Sequence, residues 1–220
     1  MPPSPPALPL LATLTAAAPK ADPKVLELAL QARQCALRHG RVATSTRLAV
    51  IDYSRPSTER RLWVFDLRDA RLLYDEYVAH GKGSGENFAS HFSNDDGSLQ
   101  SSLGLFSTAE TYDGGNGYSL RMDGLEPGIN DRARERLLVM HGAWYVDPVI
   151  ALKQGRLGRS YGCPALRPQV AREVIDTLKQ GQLLFAYYPD RAWLAHSPLL
   201  DCDATTAAAE PVASLHAAPH

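Results

Sequence analysis

Apolar residues recur at helical spacing in two segments of the chain. The first covers residues 22–39, where Asp22 is a suitable N-cap and Pro23 suits the first helical position. Its apolar positions are Val25, Leu28, Ala29, Ala32, Cys35 and Ala36. The second runs from about residue 168 to residue 180 and ends at Gly181. We therefore predict two amphipathic helices, each with one face against a core.

Short runs rich in aliphatic, β-branched and aromatic residues predict strands. Residues 46–53, 61–67 and 71–78 follow one another with short turns between them, which predicts an antiparallel meander. Further strands are predicted at residues 137–140 and 182–188.

Residues 80–128 differ in composition from the rest of the chain. They contain 10 of the 16 glycines, together with many Ser, Asn and Asp residues. Such residues favour turns, so we expect long ordered loops around short strands in this part of the chain.

Both ends lack the pattern of a folded segment. Residues 1–21 begin with a Pro- and Ala-rich stretch, whose apolar part has the length of an export signal but no preceding Lys or Arg. This segment is therefore either disordered or a residual export segment. Residues 203–220 show no apolar periodicity and predict a disordered tail. Residues 22–202 then form a single domain, with the helix over 22–39 packed on it.

Charge and length exclude several classes of protein. The 220 residues carry 23 basic and 24 acidic side chains, a net charge of −1. Without a basic excess, we expect no nucleic acid and no anionic lipid as the main partner. No uninterrupted apolar run approaches the length of a membrane span, so none is predicted.

The three cysteines lie in different settings. Cys35 falls on the first predicted helix and Cys202 follows the last ordered run. In an exported protein a Cys35–Cys202 disulfide would join these two segments. The alternative is a pair of buried, reduced thiols.

Cys163 lies in a glycine-flanked turn and is followed by Pro164. A tight turn can expose a thiol and direct backbone amides at the oxygen of a tetrahedral intermediate, so Cys163 is a candidate nucleophile. Among the seven His residues, His141 is the best candidate base, because it ends the apolar run 137–140 and precedes Gly142. The alternative is a half-buried histidine that only bonds to the backbone.

Two motifs then resemble a known family. His141-Gly142-Ala143 precedes Ser160-x-Gly162-Cys163, and Cys163 stands 22 positions after His141. This pair is similar to the signature of L,D-transpeptidases with a YkuD-type catalytic domain, in particular the divergent branch of murein L,D-transpeptidase catalytic domain proteins. Residues 101–106 resemble the Thr-Pro-x-Gly-x-Phe segment of that family, and the likeness covers about residues 44–200. Two positions depart from the pattern: Tyr161 replaces a His, and Ala165 replaces an Asn or Arg.

The resemblance implies a mainly β, sandwich-like fold with a few peripheral α-helices, and cysteine acyl transfer on peptidoglycan stem peptides. Cys163 would form a thioester, and His141 would act as base and then acid, oriented by a backbone carbonyl near Gly142. Ser160 and the amides of Gly162 and Cys163 would shape the oxyanion site. An amine would resolve the thioester in cross-linking and water in L,D-carboxypeptidase activity. No cofactor or metal would be needed, the protein would be periplasmic or otherwise exported to the bacterial cell envelope, and a carbapenem would acylate Cys163.

Other residues near these motifs are expected to contact the substrate. They are Tyr161, Arg159, His80, Tyr145, Gly142 and Ser102. Each also has a structural interpretation: Arg159 in a solvated loop, Tyr145 in the core and His80 capping a turn.

Two other functions remain open at this point. A metal hydrolase could use His80, His91, Asp95 and Asp96, although no two of its histidines have ligand spacing. A non-catalytic wall-binding module could retain the fold, which Tyr161 makes conceivable.

Overall fold

The structure is a computed structural model that describes residues 7–202. Its strands are β1 (Arg47–Asp52), β2 (Leu62–Asp66), β3 (Arg71–Glu76), β4 (Gly104–Gly114), β5 (Gly117–Gly124), β6 (Val139–Gly142), β7 (Ala165–Leu166) and β8 (Leu183–Tyr187). Its helices are α1 (Ala7–Ala17), α2 (Pro23–Arg38), α3 (Pro148–Gln154), α4 (Pro168–Leu178) and α5 (Arg191–His196), with a 3-10 turn at Lys82–Ser84.

The strands form one mixed sheet of eight strands, in the order β3-β2-β1-β8-β4-β5-β6-β7. The pairs β1–β8 and β6–β7 are parallel, and the other neighbours are antiparallel. The prediction of a mainly β protein with a few peripheral helices is confirmed. The predicted meander is β1–β2–β3, and the two amphipathic helices are α2 and α4, which both pack on the sheet.

A long hairpin occupies the part of the chain where only short strands were expected. Strand β4 has 11 residues and β5 has 8, and Gly114 pairs with Gly117 across the turn. The pairing register shifts between Thr108 and Thr111; Thr108 is buried, whereas Glu110 is exposed and Thr111 partly exposed. The expected long ordered loop is present before the hairpin, over residues 85–103, so only the expectation of short strands was wrong. Three of the ten glycines lie at the hairpin turn, and many solvent-facing residues of its strands are polar.

The N-terminal end also differs from the expectation for residues 1–21. Residues 7–17 form α1, which packs against α2 and β3 and buries Leu10 and Leu14. Burial of these leucines offsets the entropy of ordering the segment. Its role as an export segment stays a prediction. Residues 1–6 and the expected tail 203–220 lie outside the described residues.

Helix α2 forms as its sequence indicates. The side chain of Asp22 accepts a hydrogen bond of 2.8 Å from the amide of Lys24, which satisfies one free donor at the helix start. At the other end, Cys35 forms a disulfide with Cys202, with Cα atoms 5.5 Å apart. The predicted bridge is therefore confirmed, and it joins α2 to the C-terminal end of the described chain.

None of the helices within residues 7–202 combines the length and apolar character needed to cross a membrane.

Candidate active site

The pairing of β6 with β7 brings two distant parts of the chain together. His141 on β6 pairs with Ala165 on β7, and its amide donates to the carbonyl of Pro164 at 3.4 Å. Two residues before His141, the amide of Val139 donates to Sγ of Cys163 at 3.4 Å. The cysteine turn therefore lies directly beside the strand that carries His141.

His141 is held in one orientation by its own strand. The ring Nδ1 lies 3.0 Å from the carbonyl oxygen of Gly142, which fits a neutral ring with Nδ1 as donor and Nε2 as acceptor. This is the carbonyl contact that the family resemblance implies. Burial lowers the pKa of His141, and the Gly142 carbonyl opposes that shift. A lowered pKa keeps the imidazole neutral near pH 7, as a general base requires.

Cys163 is buried, with 7% of its surface exposed, and it is the one free thiol among the described cysteines. Its Sγ accepts the Val139 amide and donates to the carbonyl oxygen of Leu137 at 3.8 Å. Within residues 7–202, the bonds of this thiol go to these two backbone groups and none goes to His141. Burial raises the pKa of the Cys163 thiol, while the Val139 amide and the charge of Arg136 oppose the rise. The resting group is therefore a neutral thiol.

Ser160 closes the turn that carries the cysteine. Its hydroxyl donates to the carbonyl oxygen of Cys163 at 2.6 Å and accepts the amide of Gly162 at 3.1 Å. The Gly162 amide is thus already bonded, which differs from the expectation that it would face an oxyanion. The amide of Cys163 itself lowers the pKa of its thiol, against the larger effect of burial.

Gly162 is needed at its position for two reasons. Its φ is +128°, a conformation that favours glycine. A Cβ atom there would also lie 2.8 Å from the side chain of Leu138 and 2.9 Å from the carbonyl oxygen of Gln100. The turn can therefore approach both neighbours only with glycine.

His80 lies in the interior of the protein and not on an open surface. It is fully buried, its Nδ1 lies 2.7 Å from Nη2 of Arg61, and its Nε2 lies 3.4 Å from the carbonyl oxygen of Gly85. Burial and the charge of Arg61 lower the pKa of His80 to about 3. The expected substrate contact is not seen, because both ring nitrogens are already bonded inside the protein.

The residues of the metal-hydrolase hypothesis are not brought together either. Among residues 7–202, the one group of three close metal-ligand atoms consists of Cys35, His39 and Cys202. Two of these atoms are the sulfurs of the disulfide.

Three other residues that were expected to contact the substrate, Tyr161, Tyr145 and Arg159, differ in their exposure and in their partners. Tyr161 is 70% exposed, and Tyr145 is half-buried. Burial raises the pKa of Tyr145 to about 12, and the nearby Cys163 and Tyr161 add to the shift. Arg159 bonds to the Gly85 carbonyl at 2.9 Å and to the Glu86 carboxylate at 2.7 Å.

Ser102 lies in the interior of the neighbouring loop. Its hydroxyl donates to the carbonyl of Ser93 at 2.8 Å and accepts a hydrogen bond of 2.6 Å from Arg136. Since Ser102 is buried and both bonds are internal, it stabilises the loop and is not open to substrate in this structure.

A family model described as L,D-transpeptidase catalytic domain matches residues 17–187. The chain belongs to this family. The matched range contains His141, the cysteine turn and all eight strands. A search of curated proteins finds no match.

Several solved structures are similar to the protein. An L,D-transpeptidase from Mycobacterium smegmatis shares 16% identity at a TM-score of 0.40, over 66% of this chain and 59% of that chain. The helical cell shape determining protein Pgp2 from Campylobacter jejuni shares 12% at 0.45, over 74% and 57%. An L,D-transpeptidase (Yku) from Stackebrandtia nassauensis shares 13% at 0.38, over 83% and 90%. The chain spans less than three fifths of the length of the first two proteins.

The structure explains one of the two departures from the signature of the L,D-transpeptidase family. Ala165 is fully buried and pairs with both His141 and Ala79. A long Asn or Arg side chain would have no space there without displacing a neighbour. Tyr161, by contrast, is exposed, so a larger side chain replaces the family histidine without a packing cost.

Two further residues that hold the surroundings of the cysteine turn were not singled out as candidates from the sequence. Ser101 donates to the carbonyl of Gly162 at 2.9 Å and accepts the amide of Gly81 at 3.0 Å. Arg136 is half-buried and bonds to four groups of the loop over residues 93–102. Ser101 could have been found from the sequence, because it lies in residues 101–106, which resemble a segment of the family. The residues around Arg136 form no motif, so the sequence did not indicate that this side chain lies near the thiol.

Proposed function

We propose that the protein is a cysteine-dependent L,D-transpeptidase that acts on peptidoglycan stem peptides through a thioester acyl-enzyme. Family membership supports a peptidoglycan-related enzyme. One observation carries the proposal of a cysteine mechanism. The Cys163 thiol lies beside β6 and contacts the amide of Val139, two residues before His141, whose ring is oriented by the Gly142 carbonyl. A thiol in the turn before β7 and a neutral imidazole on the neighbouring strand β6 are the two groups that acyl transfer by cysteine requires.

In the proposed first step, His141 Nε2 accepts the thiol proton while Sγ attacks the carbonyl carbon of the bond between an L-centre and D-Ala. The C–N bond breaks, the imidazolium returns the proton to the leaving amine, and D-Ala departs. Before this step the thiol proton leaves its contact with the Leu137 carbonyl and turns to the imidazole. The Gly142 carbonyl stabilises the imidazolium through the Nδ1 proton.

The cysteine turn also provides a hydrogen-bond donor for the oxyanion. The Cys163 amide is the candidate donor to the tetrahedral oxygen, because the neighbouring Gly162 amide already donates to Ser160. Ser160 acts as a positioning residue, because its hydroxyl holds the Gly162 amide and the Cys163 carbonyl at the same time. The catalytic residues of the proposal are thus Cys163 and His141.

The fate of the thioester separates the candidate activities. Attack by the side-chain amine of a neighbouring stem peptide yields a cross-link and frees the thiol, whereas attack by water yields a shortened stem and L,D-carboxypeptidase activity. An exported, periplasmic or other cell-envelope location is part of the proposal. The disulfide between Cys35 and Cys202 supports it, because disulfides persist in oxidising compartments.

Incubation with purified muropeptides, followed by mass spectrometry, tests the proposal. We expect released D-Ala with cross-linked or shortened stems, and no product from Cys163→Ala when that variant melts like the wild type. Activity that survives in Cys163→Ala would contradict the proposal, and activity lost on chelation would favour the metal hydrolase. Binding without turnover in the wild type would favour the wall-binding module.

A further inference from the structure

Three cationic side chains surround the outer side of the cysteine turn, and two of them already have a carboxylate partner. Arg156 and Arg159 both contact Glu86, each at 2.7 Å. These two arginines therefore share one negative charge within the protein. The third cation is Lys82.

The backbone of Lys82 is fixed beside the cysteine turn. Its amide donates to the carbonyl of Ser160 at 2.8 Å, and Gly81 forms a parallel bridge with Ser160. The approach is so close that a Cβ atom on Gly81 would lie 2.8 Å from the Cα atom of Gly162. The backbone of Lys82 is therefore fixed directly beside Ser160, three residues before Cys163 in the same turn.

The ammonium group of Lys82 has an aromatic partner and no anionic one. Nζ lies 4.4 Å from the ring centroid of Tyr161, and both side chains are exposed. In the described part of the chain, no carboxylate lies within ion-pair distance of it. A cation over a ring face is oriented by that face but keeps its other N–H donors free.

We propose that Lys82, oriented by Tyr161, binds the terminal carboxylate of the D-amino acid that leaves the donor stem peptide. This inference rests on the proposed function. The group that leaves in that reaction is D-Ala. Its amine and its carboxylate are both attached to the same α-carbon, so the leaving group carries a negative charge close to the scissile bond. Of the three cations on the outer side of the turn, Lys82 is the one without a carboxylate partner in the described residues. Arg136, the other cation near the thiol, already donates to four groups of the loop over residues 93–102. Tyr161, at the position of the family histidine, thereby acts as a positioning residue.

Binding to the Cys163→Ala protein separates this inference from catalysis. The probes are a synthetic stem tetrapeptide that ends in D-Ala with a free carboxylate and the same peptide with a C-terminal carboxamide, both measured by isothermal titration calorimetry. We expect the carboxylate peptide to bind about fivefold more tightly, as for a partly exposed ion pair. The preference is expected to shrink as salt is raised, because the charges lie near solvent.

Substitutions in the same background identify the cation. Lys82→Met is expected to bind both peptides equally, while Lys82→Arg keeps the preference for the carboxylate. Lys20→Met, which removes an exposed lysine elsewhere, serves as the matched control and is expected to keep the preference. An equal affinity for both peptides before substitution, or a preference that survives Lys82→Met, would overturn the inference while leaving the proposed function intact. If neither peptide binds and the wild type does not turn over muropeptides, the proposed function fails, and the inference fails with it.

Discussion

The hydroxyl of Ser160 donates a hydrogen bond of 2.6 Å to the carbonyl oxygen of Cys163, three residues further along the chain. The hydroxyl oxygen of Ser160 also accepts a hydrogen bond of 3.1 Å from the amide of Gly162. One side chain therefore determines the shape of the turn that presents the thiol. Its effect on the reaction is indirect, through the position of the sulfur.

Removing this hydroxyl should loosen the turn. In Ser160→Ala the buried Gly162 amide loses its partner, which costs about 1–3 kcal/mol of the free energy of unfolding. We also expect slower alkylation of Cys163 by iodoacetamide. Ser160→Thr keeps the hydroxyl and is expected to retain most of the stability and reactivity. An alanine variant with wild-type unfolding and alkylation rates would contradict the role assigned to Ser160.

Leu137 has a positive φ of +55° and is 67% exposed, although its carbonyl oxygen contacts the thiol of Cys163. Because glycine adopts this conformation without a steric cost, Leu137→Gly is expected to be at least as stable as the wild type. Leu137→Val, which is β-branched, should lose about 1–2 kcal/mol. Denaturant unfolding of the two variants gives the comparison, and a valine variant as stable as the glycine variant would argue against strain at this residue.

His80 should make the fold sensitive to acid. Its pKa is lowered to about 3 in the folded protein, while its ordinary value is about 6.5. The unfolded chain therefore binds a proton that the folded protein excludes, so stability decreases as pH falls from about 6.5 towards 3, at up to about 1.4 kcal/mol per pH unit. Urea unfolding at several pH values measures this slope, and His80→Gln is expected to reduce it. An unchanged slope in the variant would mean that other groups cause the acid sensitivity.

The disulfide between Cys35 and Cys202 joins residues that are 167 positions apart. Its removal in the Cys35→Ser/Cys202→Ser double variant should lower the free energy of unfolding by about 2–5 kcal/mol. A reductant should destabilise the wild type and leave the double variant unchanged. Equal stability of the two proteins under oxidising conditions would contradict this expectation.

A carbapenem tests the nucleophile independently of the natural substrate. The strained lactam carbonyl resembles the scissile amide, so attack by Cys163 should open the ring and leave a stable adduct of the intact drug mass. Intact-mass spectrometry should show one adduct on the wild type and none on Cys163→Ala. His141→Gln should form the adduct more slowly, because the base is lost. An unmodified wild type would count against a reactive Cys163.

The sequence alone determined the features that depend on near neighbours along the chain. The helix over residues 22–39 and the meander from 46 to 78 follow from apolar periodicity, turn residues and an N-cap at Asp22. The spacing of His141 and Cys163 likewise indicated the family, because a motif is local in sequence. The sequence left two alternatives for Cys35 and Cys202, a disulfide or two reduced thiols, and the structure decided for the disulfide.

The tertiary structure decided what depends on partners far along the chain. Only the tertiary packing places the Arg61 guanidinium against His80 and buries both, which decides for a structural role of His80 over the substrate contact that the sequence had left open beside it. Packing on α2 and β3 likewise determines that residues 7–17 are ordered. The contact of Lys82 with Tyr161 joins residues 79 positions apart. Burial and pairing of this kind are set by the whole sheet, so no local pattern in the chain specifies them.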